Sequence, residues 1–121
     1  MILGLRTAIY AAPDLGRARD WYSQVLEREP YFAEPFYIGY NVGGFELGLV
    51  PDAKPSADGA QVLWGVPDID EELVRLRNLG ARLHQAPQDV GGGIRVASVL
   101  DPFGNVFGII ENPQFDPKTV R

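Results

Sequence analysis

The sequence predicts an α+β fold, two β-α-β-β-β modules forming one curved mixed sheet with a concave cleft. Three observations carry that reading. Pro13-Asp14-Leu15 returns as Pro67-Asp68-Ile69 at an offset of 54, each time between a short β-compatible run and apolar residues at helical spacing. Gly43-Gly44 separates two strand-like runs, as a hairpin turn does. Asp101-Pro102-Phe103-Gly104-Asn105 is a tight turn that feeds a last apolar strand, Val106 to Glu111.

Leu5 to Ala12 reads as the first strand, stopped by Pro13. Asp14 is a suitable N-cap, because its carboxylate can accept a backbone N–H that the first helical turn leaves unpaired. Leu15, Ala18, Trp21, Tyr22, Val25 and Leu26 then form one apolar stripe, while Arg17, Arg19, Asp20 and Gln24 face away. Pro30 disfavours helical geometry in the residue before it and closes that helix. Three β segments follow: Tyr31 to Ala33, Phe36 to Val42 and Phe45 to Val50. The polar stretch Pro51 to Gly59 is the linker.

The second module starts with a strand over Gln61 to Val66, so that Trp64 takes the place of Tyr10. Asp68, three residues before Glu71, has the spacing of a capping box. Ile69, Leu73, Leu76 and Leu79 supply the buried stripe, and Gly80 stands where a helix C-cap glycine belongs. Arg82 to His84 is a short strand, Pro87 to Gly93 a loop and Ile94 to Leu100 a further strand. The boundaries are therefore module one 3–50, linker 51–59, module two 60–112 and a polar tail 113–121, together a single domain.

Bulk composition narrows the function classes. The chain has 121 residues, the size of one domain, with 45% hydrophobic and 22% charged residues, enough apolar material for a core. A net charge of −5, with eleven scattered Lys and Arg, argues against nucleic acid, whose phosphates need a clustered positive face. Cysteine is absent, which removes disulfides, thiolate nucleophiles and Cys-ligated zinc and fits a cytoplasmic protein. No apolar run approaches the roughly 20 residues of a membrane span, so no membrane partner is expected. One histidine, His84, supports no Ser-His-Asp set and reads as a surface or edge residue.

The paired β-α-β-β-β plan and the ending Asp101-Pro102-Phe103-Gly104-Asn105 resemble the vicinal oxygen chelate superfamily over about residues 3–112. That superfamily includes glyoxalases, extradiol dioxygenases, fosfomycin-modifying enzymes and bleomycin-resistance binding proteins. The resemblance implies four positions where its metal enzymes carry His or Gln, Glu, His and Glu, on the first, fourth, fifth and eighth strands. Carried onto this chain they are Thr7, Glu46, Gln61 and Gly108. Threonine is a poor neutral ligand and glycine offers none, so no metal and no cofactor are expected. Glu111 lies three positions beyond Gly108, on the opposite face of the strand, and does not replace the missing carboxylate.

The expected function is a metal-free small-molecule-binding protein, a homodimer holding a hydrophobic or aromatic ligand. The alternatives are a metal-dependent glyoxalase-like lyase or dioxygenase with a degenerate site, and a metal-free enzyme using Glu46 as acid or base. Thr7, Glu46, Gln61 and Gly108 would form the pocket floor, Ile9, Leu63 and Ile110 its apolar walls, and Phe32, Tyr37 and Tyr40 the stacking surface. Phe36 is a further aromatic of the same rim. By strand alternation Tyr10 and Trp64 belong beneath the helices. Glu46, between Phe45 and Leu47, is either a ligand anchor or a carboxylate satisfied by a neighbour such as Gln61. Gly39, Gly48, Gly65 and Gly108 either enlarge the cavity or permit sheet curvature. Arg95 is a candidate for an anionic ligand or for a solvated face.

Overall fold

The computed structural model describes residues 1, 6–57, 62–113, 115 and 118. The expectations placed on Leu5, Gly59, Gln61 and most of the tail beyond 113 lie outside the described residues. The chain divides into two compact units, Met1–Ser56 and Ala57–Arg121. Among the described residues each contains one helix and one four-stranded mixed sheet, and the ladders form two sheets rather than one continuous one.

In the first unit, β1 (Thr7–Ala11) leads into α1 (Leu15–Leu26), followed by β2 (Phe32–Glu34), β3 (Tyr37–Val42) and β4 (Phe45–Val50). The sheet order is β1-β4-β3-β2, with β1 parallel to β4 and the other pairs antiparallel. Asp14 caps the helix as its residue type predicts, its Oδ1 accepting from Arg17 N at 3.1 Å. The C-terminus is set earlier than Pro30. Glu27 turns into the left-handed region at φ 55°, and its N–H returns to the Ser23 carbonyl. Ala18, Trp21, Tyr22 and Val25 are buried against the sheet. Tyr22 lies edge-on to Trp21 at 4.8 Å and 5.9 Å from Tyr10. Each such fully buried large apolar side chain contributes roughly 1.5–3 kcal/mol.

In the second unit, β5 (Leu63–Gly65), α2 (Ile69–Asn78), β6 (Arg82–Gly91), β7 (Ile94–Leu100) and β8 (Val106–Glu111) repeat that plan in the order β5-β8-β7-β6. The Asp68 Oδ1 accepts from Asp70 N at 3.0 Å and from Glu71 N at 3.1 Å. Ile69, Leu73 and Leu76 are buried. Beneath the helix Trp64 stacks on Phe107 at 5.6 Å, so the packing role expected of Tyr10 and Trp64 is what the structure has. Glu111 also faces this side, accepting from Ile69 N at 2.9 Å. Arg95 pairs with Asp70 at 3.1 Å, at the N-terminal end of the same helix.

One strand is longer than expected. Residues 82–91 form a single edge strand in which 87–91 had read as loop, and the pairing with β7 shifts at Leu83/Gln85, Gln85/Gln88 and Asp89/Gly91. Pro87 falls within the second irregularity of this edge strand, where its missing N–H removes no ladder bond from a sheet centre. His84 is exposed on this edge.

The Asp101 turn joins β7 to β8. The buried Asp101 carboxylate accepts from Phe103 N at 2.9 Å, Asn105 N at 2.8 Å and Asn105 Nδ2 at 3.1 Å. Gly104 takes φ 102°, a conformation in which a side chain would be strained. Replacing Asp101 with alanine leaves buried donors without an acceptor and is expected to cost about 3 kcal/mol in urea denaturation. Asp101→Asn, which retains one acceptor oxygen, is expected to lose about half as much. Equal stability of the alanine variant and the wild type would contradict this account of the turn.

Candidate functional site

Ladder register decides which side chains share a face. In the first sheet Thr7 pairs with Glu46 and Glu46 with Asn41; the next row is Ile9, Gly48, Gly39 and Phe32. Paired residues project to the same side, so Thr7, Ile9, Phe32, Tyr37, Asn41 and Glu46 all stand on the face opposite α1. Ile9 is 58% and Phe32 38% exposed there. The ring of Phe32 lies 6.1 Å from Tyr37 and 6.0 Å from Phe36.

Tyr40 does not belong to this group. It is fully buried on the helix side, sharing a 2.8 Å hydrogen bond with Ser23 Oγ and donating to the Arg19 carbonyl at 3.0 Å. Its place as a stacking residue is corrected by one step of strand parity.

Glu46 is not a lone carboxylate. The Tyr31 hydroxyl donates to its Oε1, and the Tyr37 hydroxyl donates to its Oε2 at 2.5 Å. The neighbour suggested for it, Gln61, lies outside the described residues. To reach Glu46, the Tyr37 ring crosses β4 directly over Gly48. A Cβ at Gly48 would stand 2.7 Å from two of the ring's carbons and closer still to its hydroxyl. Burial raises the Tyr37 phenol above its usual value of 10.0, and burial likewise raises Tyr40, outweighing the Ser23 hydrogen bond.

A cavity of about 270 Å³ opens at this end of the sheet, lined by Arg6, Thr7, Tyr31, Asn41, Phe45 and Glu46, with Gly44 at its rim. Arg6, Tyr31, Asn41 and Phe45 are site residues that sequence reasoning missed. Asn41 was the one within reach, since a hairpin at Gly43-Gly44 places it opposite Glu46.

In the second sheet Leu63 pairs with Gly108, and Gly108 with Ser98; Gly65 pairs with Ile110. Leu63, Gly108 and Ile110 therefore share the face opposite α2, with Leu63 44% exposed. The missing side chain of Gly108 leaves no room of its own among the described residues. A Cβ there would stand 2.5 Å from the Val62 carbonyl oxygen and 2.8 Å from Leu63 Cδ2. Of Gly39, Gly48, Gly65 and Gly108, it is Gly65 that faces open space, with no described atom within 4 Å of a Cβ.

The two modules share one register. Ile9 pairs with Gly48 as Leu63 pairs with Gly108, and Leu63 is the repeat-mate of Ile9. Gly48, two residues beyond Glu46, is thus the counterpart of Gly108, which corrects the assignment of Glu46 to that fourth-strand position. At both glycines the place of a ligating side chain is already filled, by the Tyr37 ring at one and by the Val62 carbonyl at the other. Among the described residues, no group of three His, Cys, Asp or Glu converges. A hydroxyl and one carboxylate already held by two phenols do not fit a divalent ion of the expected kind.

The family model for the glyoxalase/bleomycin resistance protein/dioxygenase superfamily matches residues 4–109. A solved member of that superfamily from Sphaerobacter thermophilus is 25% identical, with TM-score 0.75, over 93% of this chain and 99% of that one. TioX from Micromonospora sp. ML1 is 26% identical, with TM-score 0.67, over 90% of this chain and 98% of its own. The fosfomycin resistance protein FosX from Listeria monocytogenes shares the fold at 16% identity and TM-score 0.78, over 94% of this chain and 97% of that one. No curated protein sequence matches the chain.

Adding a side chain at either glycine separates their roles. Gly48→Ala meets a movable ring and is expected to cost about 1–3 kcal/mol, part of it recovered in a Gly48→Ala/Tyr37→Leu double variant. Gly108→Ala meets main chain and is expected to cost more, with no single side-chain substitution restoring it. Thermal denaturation of the three variants checks the order, and equal, small losses would contradict it.

The phenol shifts give a pH dependence. Tyr37 and Tyr40 hold their protons more tightly folded than unfolded, so their contribution is complete below about pH 10 and is lost as pH rises through their folded values. Stability is therefore expected to fall above pH 10, with tyrosinate absorbance lagging that of the urea-unfolded chain. Coincident titrations would contradict the burial of these phenols.

Proposed function

The chain belongs to the glyoxalase/bleomycin resistance protein/dioxygenase superfamily, and from that premise we propose that it is a metal-free small-molecule-binding protein. It sequesters a hydrophobic or aromatic ligand against the open faces of its sheets. The supporting observation is the first sheet's open face, where Ile9, Phe32 and Phe36 are exposed around a carboxylate that phenols, not cations, hold in place. Apolar surface with a few fixed polar groups is how small-molecule sites are built. Glu46 and Thr7 supply the polar contacts, and Ile9, Phe32 and Tyr37 supply the body of the site. In the second sheet Leu63 and Ile110 offer a further apolar face, with Gly108 on the same face. The same reading takes the protein to be a cytoplasmic homodimer, in keeping with its cysteine-free sequence.

A second reading has one observation in its favour. The Tyr37 hydroxyl at 2.5 Å from Glu46 Oε2 pairs a carboxylate with a phenolic proton, the arrangement a metal-free acid–base catalyst uses. A turnover assay on any compound found to bind separates the two, since a binding protein returns its ligand unchanged.

Metal content tests the first reading. A bound ion at a hundredfold excess over its Kd adds about 2.7 kcal/mol of stability. Nickel, manganese and ferrous ion are expected to leave the melting temperature unchanged, while members of an aromatic compound library raise it. Stoichiometric metal that survives dialysis would overturn the metal-free reading. Glu46→Ala is expected to weaken the bound compound; unchanged affinity would remove Glu46 as the anchor.

A further inference from the structure

The cavity beside Glu46 has a chemistry that the apolar face does not share. Thr7, Glu46 and Asn41 form one row across β1, β4 and β3, a hydroxyl, a carboxylate and an amide on neighbouring strands about 4.8 Å apart. Arg6 lines the same cavity. Glu46 and Arg6 carry opposite charges, yet among the described residues neither takes part in an ion pair. The carboxylate receives two hydrogen bonds from neutral phenols, which occupy two of its roughly four acceptor positions and leave its charge uncompensated. The Asn41 carboxamide is oriented by the β3–β4 turn, its Oδ1 accepting from Gly44 N at 3.1 Å. Its NH2 end keeps its donors for a ligand.

At about 270 Å³ the cavity is smaller than the roughly 300–1,000 Å³ of sites that enclose a whole drug-sized ligand. As an open depression of this size it accommodates a head group, with the adjoining aromatic surface available to the rest of the molecule. Tyr31 belongs to both regions, since it lines the cavity and its ring also covers Gly39 on the open face.

From these observations we propose that the cavity is a zwitterion subsite, taking a ligand that carries an ammonium and a carboxylate on an aromatic or apolar body. The ammonium donates to the free lone pairs of Glu46 and to Thr7 Oγ, and the Tyr31 face adds cation–π attraction. The carboxylate accepts from the Arg6 guanidinium and the Asn41 NH2. A ligand with only one of these charges forgoes one of the two sets of charge-assisted hydrogen bonds and binds less tightly. This inference rests on the binding function proposed above and names the class of ligand for the site.

Four probes of one ring size test it by calorimetry or by protein NMR shifts: L-phenylalanine, 2-phenylethylamine, 3-phenylpropionate and 3-phenylpropanol. L-Phenylalanine is expected to bind about tenfold more tightly than either singly charged probe, the loss that follows from removing one charge-assisted hydrogen-bond set. Glu46→Gln keeps an acceptor for the phenols and is expected to cost about tenfold for phenylalanine and phenylethylamine, but not for phenylpropionate. Arg6→Gln, at an exposed position, is expected to cost as much for phenylalanine and phenylpropionate, but not for phenylethylamine. If phenylpropanol binds as tightly as phenylalanine, the zwitterion subsite is wrong and the apolar binding function stands. If no probe shifts any resonance, even at millimolar concentration, both are overturned.

Discussion

The parallel pairing of the first strand of each module with its last is the constraint on which the other features depend. It sets Ile9 against Gly48 and Leu63 against Gly108, and from those two contacts every face assignment follows. A slip of one residue would move Tyr10 and Trp64 out from beneath the helices and bring Ile9 and Leu63 in. The helices hold the register from one side: Tyr10 meets Tyr22 of α1, and Glu111 of β8 accepts from the first residue of α2. The Asp101 turn holds it at the start of β8, where a single carboxylate gathers two backbone N–H groups and a side-chain amide. Interactions within the helix side thereby determine the row of residues presented on the open side.

On that open side the two modules differ where their register is the same. At Gly48 the space a side chain would fill is taken by Tyr37, whose hydroxyl goes on to Glu46. At Gly108 the corresponding space is taken by the module's own main chain, the Val62 carbonyl. One solution turns an absent side chain into a polar connection from β3 to β4; the other fills the gap with main chain. The difference explains why the first module has a carboxylate-centred cavity and why Gly108 is a packing position. A buried orphan, the Ser98 hydroxyl, lies beside Gly108 with no hydrogen-bond partner among the described residues. It marks that row as the less polar-satisfied of the two.

Much of the fold was legible because it is written in local periodicity. The caps at Asp14 and Asp68, the stripes from Ala18 to Val25 and from Ile69 to Leu76, and the Asp101 turn each need only residues a few positions apart. The site was less legible because it depends on partners far along the chain. Tyr40 and Tyr37 are three residues apart on one strand and fall on opposite faces, and only the ladder to β4 says which is which. A glycine in a strand reports a missing side chain but not what fills the gap, so Gly65 and Gly108 look alike in sequence and differ in space. The strand at 82–91 was hidden for a different reason: Pro87 and three irregularities in its pairing break the alternation that would reveal it.

Glu46 shows what the exchange of partners does to a carboxylate. Phenols donate hydrogen bonds without bringing positive charge, so Tyr31 and Tyr37 orient Glu46 and leave its electrostatic demand unmet. An arginine in direct contact would have met that demand. Arg6, in the same cavity but without an ion pair among the described residues, leaves the field of the site divided in sign. Such a site gains little from a purely apolar compound beyond area burial, and it discriminates by charge pattern. Affinity and selectivity then come from different surfaces: the aromatic face around Phe32 and Phe36 supplies the first, and the Thr7–Glu46–Asn41 row supplies the second.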